Sequence, residues 1–138
     1  MEKKSIVVVL GLIENKKGEV LVSLRNDPRF PEAHLKWDFV GGKNEMGESL
    51  EETLRRETRE ESGLEIEIKE FLPKSICKNW ELPGYFQHTL IFCYTCKAIS
   101  GELKTQDPKI KELRWMKKED VLKLDLLFSA REYLEMDI

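Results

Sequence analysis

Residues 42–64 read GKNEMGESLEETLRRETREESGL, and this stretch decides the fold. Ser49 is suited to N-cap a helix, and Glu52, three residues on, completes a capping box. From Leu50 to Ser62 there is no proline or glycine, and the run is rich in Leu, Glu and Arg, which favour helix. Gly63 suits the left-handed position that ends one. At about 100° per residue, Leu50, Leu54, Glu57 and Glu61 fall in one narrow stripe flanked by Thr53 and Glu60. The face that the leucines should bury therefore carries two carboxylates. Buried carboxylates are costly unless paired or bound to metal, and Arg56 alone cannot neutralise Glu57, Glu60 and Glu61. A divalent cation resolves the conflict, and hard oxygen ligands suit Mg²⁺ or Mn²⁺. A solvated acidic helix with i,i+4 pairs to Arg55, Arg56 and Arg59 accounts for Glu51 and Glu52. It does not account for acids in the apolar stripe, nor for the glycines at 42 and 47.

Outward from the helix, the pattern is mostly strand. Ser5 to Ile13 reads as a buried strand, Asn15-Lys16-Lys17-Gly18 as a hairpin turn and Glu19 to Leu24 as the returning strand. Asn26-Asp27-Pro28 and Phe30-Pro31 mark a loop. Trp37 to Val40 is a short strand running into Gly41-Gly42. After the helix, Leu64 to Leu72 alternates, with Leu64, Ile66 and Ile68 on one side. Lys74 to Trp80 and Gln87 to Ala98 read as strands, and Leu82-Pro83-Gly84 and Ile99-Ser100-Gly101-Glu102 as turns. Lys109 to Met116 is a strand with Leu113 and Trp115 on one face, and Lys118-Glu119-Asp120 opens a terminal helical segment ending near Met136. Strands with one central and one terminal helix predict an α/β protein, a mixed sheet flanked by helices.

Composition narrows the function. The 138 residues match one ordinary domain, expected to span 1–138, and suffice for a real core. A net charge of −3 offers no basic field for duplex nucleic acid. The apolar run from Ile6 to Ile13 is too short to span a bilayer, and no small-residue cleavage site follows it, so a cytoplasmic protein away from membranes is expected. Cys77, Cys93 and Cys96 are odd in number, and Cys93 and Cys96 point to opposite faces of a strand, so they read as structural, reduced thiols.

The spacing Gly42, Glu48, Arg56-Glu57, Glu60-Glu61, Gly63-Leu64 resembles the Nudix box, G-x5-E-x7-R-E-U-x-E-E-x-G-U, where U is bulky and apolar. Thr58, at the first U, is the one departure. The approach Trp37-Asp38-Phe39-Val40-Gly41-Gly42-Lys43 is similar to that of the MutT-like branch of small nucleotide pyrophosphohydrolases, with Val40 where proline is usual. The resemblance implies a Nudix-type α/β/α sandwich with a mixed central sheet. It implies Mg²⁺-assisted hydrolysis of a nucleoside diphosphate linked to another moiety, here a nucleoside triphosphate to monophosphate plus pyrophosphate. By the same resemblance, Glu57, Glu60 and Glu61 with the Gly41 carbonyl would bind Mg²⁺. Glu57 would also be the general base, and Arg56 would orient it by a bidentate contact. Glu48 would bridge to Arg56 or to a substrate-borne metal. Lys43 would meet phosphate, and Arg25 and Phe39 would contact the nucleoside, with Trp37 and Phe128 near the base. Asp107 and Glu112 are rival candidates for the base, in a region where some family members place it. The partner is a small nucleotide, and the chain a monomer or homodimer. The alternatives are an ADP-ribose or nucleotide-sugar pyrophosphatase and a non-catalytic Nudix-like nucleotide-binding regulator.

Overall fold

Ser49 caps the central helix as its sequence predicts. Its side chain accepts from the Glu52 N–H at 3.1 Å, and the Glu52 carboxylate accepts from the Ser49 N–H at 3.2 Å. In the computed structural model, which describes residues 1–137, that helix, α1, runs Leu50–Ser62 and ends on Gly63 at φ 77°. Before it come strands β1 (Glu2–Glu14), β2 (Val20–Arg25), β3 (Trp37–Asp38) and β4 (Val40–Lys43). After it come β5 (Leu64–Phe71), β6 (Ile76–Leu82), β7 (Tyr85–Gly101), β8 (Ile110–Met116) and helices α2 (Lys118–Val121) and α3 (Phe128–Asp137).

The strands form one mixed eight-stranded sheet. The long β1 and β7 run parallel through its centre, from Glu2↔Tyr85 to Glu14↔Lys97, and the other neighbours are antiparallel. β1 and β2 meet at Glu14↔Val20; further back, from Gly11↔Val40 to Val8↔Lys43, β1 takes β4 as its neighbour. The sheet is thus split into an arm of β2, β3 and β8 and an arm led by β1, β4 and β7. Each face carries its own core. Leu10, Leu12, Val22, Phe39, Ile91 and Cys93 pack with Ala130, Tyr133 and Leu134 of α3. Val9, Ile13, Leu21, Val40, Leu64, Ile66 and Cys96 pack with Leu54 of α1. This is the expected α/β/α sandwich, and Cys93 and Cys96 do lie in different cores. No helix among the described residues is long and apolar enough to cross a membrane.

Three expectations need correction. The single strand from Trp37 to Val40 is two, because Trp37–Asp38 pairs with β2 and the glycine pair is itself strand, paired with β1. Residues 99–101 are not a turn; they continue β7 along β5, to Leu64↔Gly101. The terminal helical segment is broken, because Leu126 bridges Trp37: Trp37 N–H donates to the Asp125 carbonyl at 2.9 Å and Leu127 N–H to the Trp37 carbonyl at 2.8 Å. Arg131 then donates to the Leu122 and Leu124 carbonyls that the break leaves open.

Candidate active site

Thr58 fills the position where the motif has a bulky apolar residue. It is fully buried, and its hydroxyl donates to the Leu54 carbonyl at 2.6 Å, so its polar atom costs the core little. On the strand side, Gly11 lets α1 approach closely, since a Cβ there would meet Leu54 Cδ1 at 3.2 Å. Packing at these two points holds the acidic end of the helix against the glycine pair of β4.

A cavity of about 770 Å³ opens where the two arms diverge, and Glu57, Glu60 and Glu61 line one end of it with Gly41, Gly42, Lys43 and Asp107. Gly42 leaves room for the carboxylate: a Cβ at that position would lie 2.4 Å from Glu57 Cδ and would displace it. Gly41 has φ 154°, and its Cβ would meet the Val9 carbonyl oxygen at 2.1 Å. Its N–H donates to Glu61 Oε1 at 2.9 Å. Burial pushes the Glu61 carboxyl up to about 8; the Gly41 N–H opposes this, as does the Arg25 charge, while Glu57 and Asp107 add to it. Glu57 is raised for the same first reason; Arg56 opposes, and Glu60 and Asp107 reinforce.

Arg56 is the hub. Its Nε donates to Glu48 Oε2 at 2.7 Å and its Nη2 to Glu48 Oε1 at 2.9 Å. Its Nη1 donates to Glu57 Oε1 at 3.0 Å, and its Nη2 also reaches the Lys43 carbonyl at 3.2 Å. The expected bidentate grip on Glu57 thus falls on Glu48 instead, because Glu48 at the helix start lies side-on to the guanidinium fork. Hydrogen bonds from Arg56, and then from the Glu45 N–H, hold the Glu48 carboxyl down at about 2. Thr53 Oγ1 adds a third contact to Glu48 at 2.9 Å, and Asn44 ties the loop to that hydroxyl at 2.8 Å.

The donor set fits a hard divalent cation. Three carboxylates at i, i+3 and i+4 offer only oxygen, and desolvation first, then neighbouring acids, push two of them, Glu57 and Glu61, toward neutrality. They are not a closed cage. Glu60 is mostly exposed and leans on Arg56 Nη1 at 3.4 Å, and among the described residues no three Asp, Glu, His or Cys side chains converge on one point.

The remaining candidates separate. Lys43 and Arg25 line the cavity. Arg25 Nη1 lies 3.9 Å from Asp38 Oδ2, and its buried Nε has no hydrogen-bond partner among the described residues. Asp38 was not legible as a site residue; it is buried in the cavity wall and accepts from the Phe39 N–H at 2.8 Å. Burial pushes it up to about 6 against the pull of Arg25 and that N–H. Phe39 borders the cavity but is only 2% exposed and belongs mainly to the core. Trp37 lies under the Arg114 guanidinium, 5.2 Å from the ring centroid, away from the cavity. Phe128, by contrast, is 47% exposed at its edge. Asp107 lines the cavity, whereas Glu112 pairs with Arg114 outside it.

Comparison with known proteins bears on the fold and the family. The family model described as NUDIX domain matches residues 4–136. Nucleoside triphosphatase NudI of Shigella flexneri is 28% identical over 136 residues, with 94% of each chain covered. The crystal structure of MutT NUDIX hydrolase from Burkholderia pseudomallei superposes with a TM-score of 0.79 at 28% identity, covering 96% of this chain and 98% of that one. MutT protein from Methanosarcina mazei Go1 superposes with a TM-score of 0.73 at 29% identity, covering 99% and 96%.

Proposed function

The chain belongs to the Nudix family and is a hydrolase of nucleoside diphosphate-linked substrates; on that premise we propose that it converts a nucleoside triphosphate to the monophosphate and pyrophosphate, with Mg²⁺ held by Glu57, Glu60, Glu61 and Gly41. One observation carries this reading: two cavity-facing carboxylates, Glu57 and Glu61, sit half-buried together on α1, and Arg56, hydrogen-bonded to Glu57, is the one arginine among the described residues that bonds to either. When bound, Mg²⁺ supplies charge neutralisation for diphosphate oxygens and acidifies water. The chain's own residues do the rest. Lys43 draws the phosphates into the cavity, and Arg25 meets the nucleoside. Glu57 takes the proton of the attacking water. The water oxygen bonds to phosphorus in line as the bond to the anhydride oxygen breaks, and pyrophosphate departs. Arg56, anchored on Glu48, fixes the Glu57 carboxylate in the pose that the transfer needs.

The raised state of Glu57 suits a base, and Asp107 on the opposite loop is the rival for that role. Incubation with a panel of nucleoside triphosphates, ADP-ribose and nucleotide sugars, with and without Mg²⁺, tests the reading by product analysis. Monophosphate plus pyrophosphate is expected. Two monophosphates from a sugar-linked substrate would replace it with the nucleotide-sugar reading, and no turnover at all with the regulator reading.

A further inference from the structure

β6 and β7 form an antiparallel hairpin whose two faces serve different surroundings. Lys78 and Trp80 line the cavity, so the alternating residues Cys77 and Asn79 point to the opposite face of the sheet, the side on which α1 packs. His88 on β7 stands directly across from Asn79 and shares that face. Cys93 and Cys96 are buried in the two cores, whereas Cys77 is exposed.

Three side chains converge there. Cys77 Sγ lies 3.6 Å from His88 Nδ1 and 3.7 Å from Asn79 Oδ1, and Nδ1 and Oδ1 are 3.3 Å apart. Among the described residues none of the three side chains makes a further hydrogen bond. As a hydrogen bond the 3.3 Å contact is loose, since N–H···O bonds fall at about 2.7–3.2 Å. As edges of a coordination polyhedron the three distances fit well. A tetrahedral Zn²⁺, at about 2.3 Å from sulfur and about 2.0–2.2 Å from nitrogen and oxygen, sets its ligand atoms roughly 3.4–3.6 Å from one another. The triangle thus matches one face of such a tetrahedron, and with Cys77 and Asn79 both exposed the fourth corner opens to water.

The donors select the cation. Thiolate and imidazole suit Zn²⁺, whereas the carboxylates of Glu57, Glu60 and Glu61 offer only the hard oxygen that suits Mg²⁺. We propose that Cys77, Asn79 and His88 form a site for a thiophilic divalent cation, of which Zn²⁺ is the type, on the face of the sheet opposite the cavity. Binding releases the Cys77 thiol proton to solvent and leaves the ring hydrogen of His88 on Nε2. The cation ties β6 to β7 through their side chains. It braces from behind the segment that carries Lys78 and Trp80 into the cavity.

Titration of the reduced protein with Co²⁺, a spectroscopic stand-in for Zn²⁺, tests this, with Mg²⁺ in excess to occupy the glutamates. A thiolate bound to Co²⁺ gives a charge-transfer absorption in the near ultraviolet that carboxylates cannot give. Cys93 and Cys96 are 0% and 3% exposed, so Cys77 is the thiol able to respond. The band should appear, saturate at one equivalent and be displaced by Zn²⁺. C77S should abolish it, and H88A should weaken Co²⁺ binding by about tenfold or more. N79D puts a carboxylate oxygen where the amide oxygen stands and should tighten binding about tenfold, which a cluster held only by hydrogen bonds would not do. Absence of the band in the unmodified protein, its survival in C77S, or an affinity unchanged in both H88A and N79D overturns the site.

Discussion

Arg56 grips Glu48 at two points, 2.7 and 2.9 Å, and touches Glu57 once, at 3.0 Å. The arginine is therefore anchored at the helix start and reaches from there toward the half-buried carboxylate. Lysine keeps the charge and loses the fork. R56K should lower kcat by about a hundredfold with KM little changed, since it misplaces Glu57 without removing a substrate contact. Steady-state kinetics with the preferred triphosphate reads this split.

The same pair sets an acid limit on stability. Glu48 is held down at about 2 in the folded chain, against an ordinary 4.5, so its contribution is complete above 4.5 and is lost as pH falls through about 2. E48Q should melt lower than the unmodified protein at pH 7, and the gap should close as the pH is lowered across that window. A gap that does not change with pH would assign the loss to Gln packing instead of the ion pair.

Asp38 titrates with the opposite sign. Burial raises it from 3.8 to about 6, so the folded state holds a proton that the unfolded state has released, and wild-type stability falls as pH rises through that interval. D38N keeps an oxygen to accept the Phe39 N–H and removes the buried charge. It should be more stable than wild type above pH 6, by on the order of 2–3 kcal/mol, and equal to it below about pH 4. Urea unfolding at pH 4 and 8 checks both ends.

The two glycines of β4 should fail differently. G42A drives a methyl group into the Glu57 carboxylate and should cost about a hundredfold or more in kcat, with a melting temperature close to wild type. G41A collides with the Val9 backbone and should destabilise the fold itself. Thermal melts beside kinetics separate the two.

Removing the cation tests the acids together. Mg²⁺ at millimolar concentration should raise the melting temperature of the metal-free protein, because it binds the folded state alone. E57Q/E61Q should lose most of that increment, and E57Q alone about a thousandfold in kcat. If D107N loses as much rate as E57Q while still gaining stability from Mg²⁺, the base is Asp107.

Local rules made α1 legible to the residue: the Ser49 cap, the Gly63 stop and a stripe that mixes leucine with glutamate all act within a few positions. Strand patterning gave the faces correctly, including Cys93 and Cys96 in separate cores. What escaped depends on partners far along the chain. Leu126 breaks the terminal helix because Trp37 pairs with it, and no local signal marks that bridge. Asp38 looked like one residue of a short strand. It became a cavity group only once β3 and β4 had parted. The resemblance gave Arg56 a bidentate contact to Glu57 and a bridge to Glu48; both contacts are present, but the fork falls on Glu48 and Glu57 keeps a single bond.

Phe39 is the single residue between β3, which belongs to one arm of the sheet, and β4, which belongs to the other. Its ring is locked in the core at 2% exposure. The two sides of the cleft are thus joined at a pin that cannot swivel without unpacking the interior. Such a cleft works like a fixed-gap caliper. It would sort nucleotides by whether they fit between jaws already set, and its selectivity should answer to the size of the base before it answers to any closing motion.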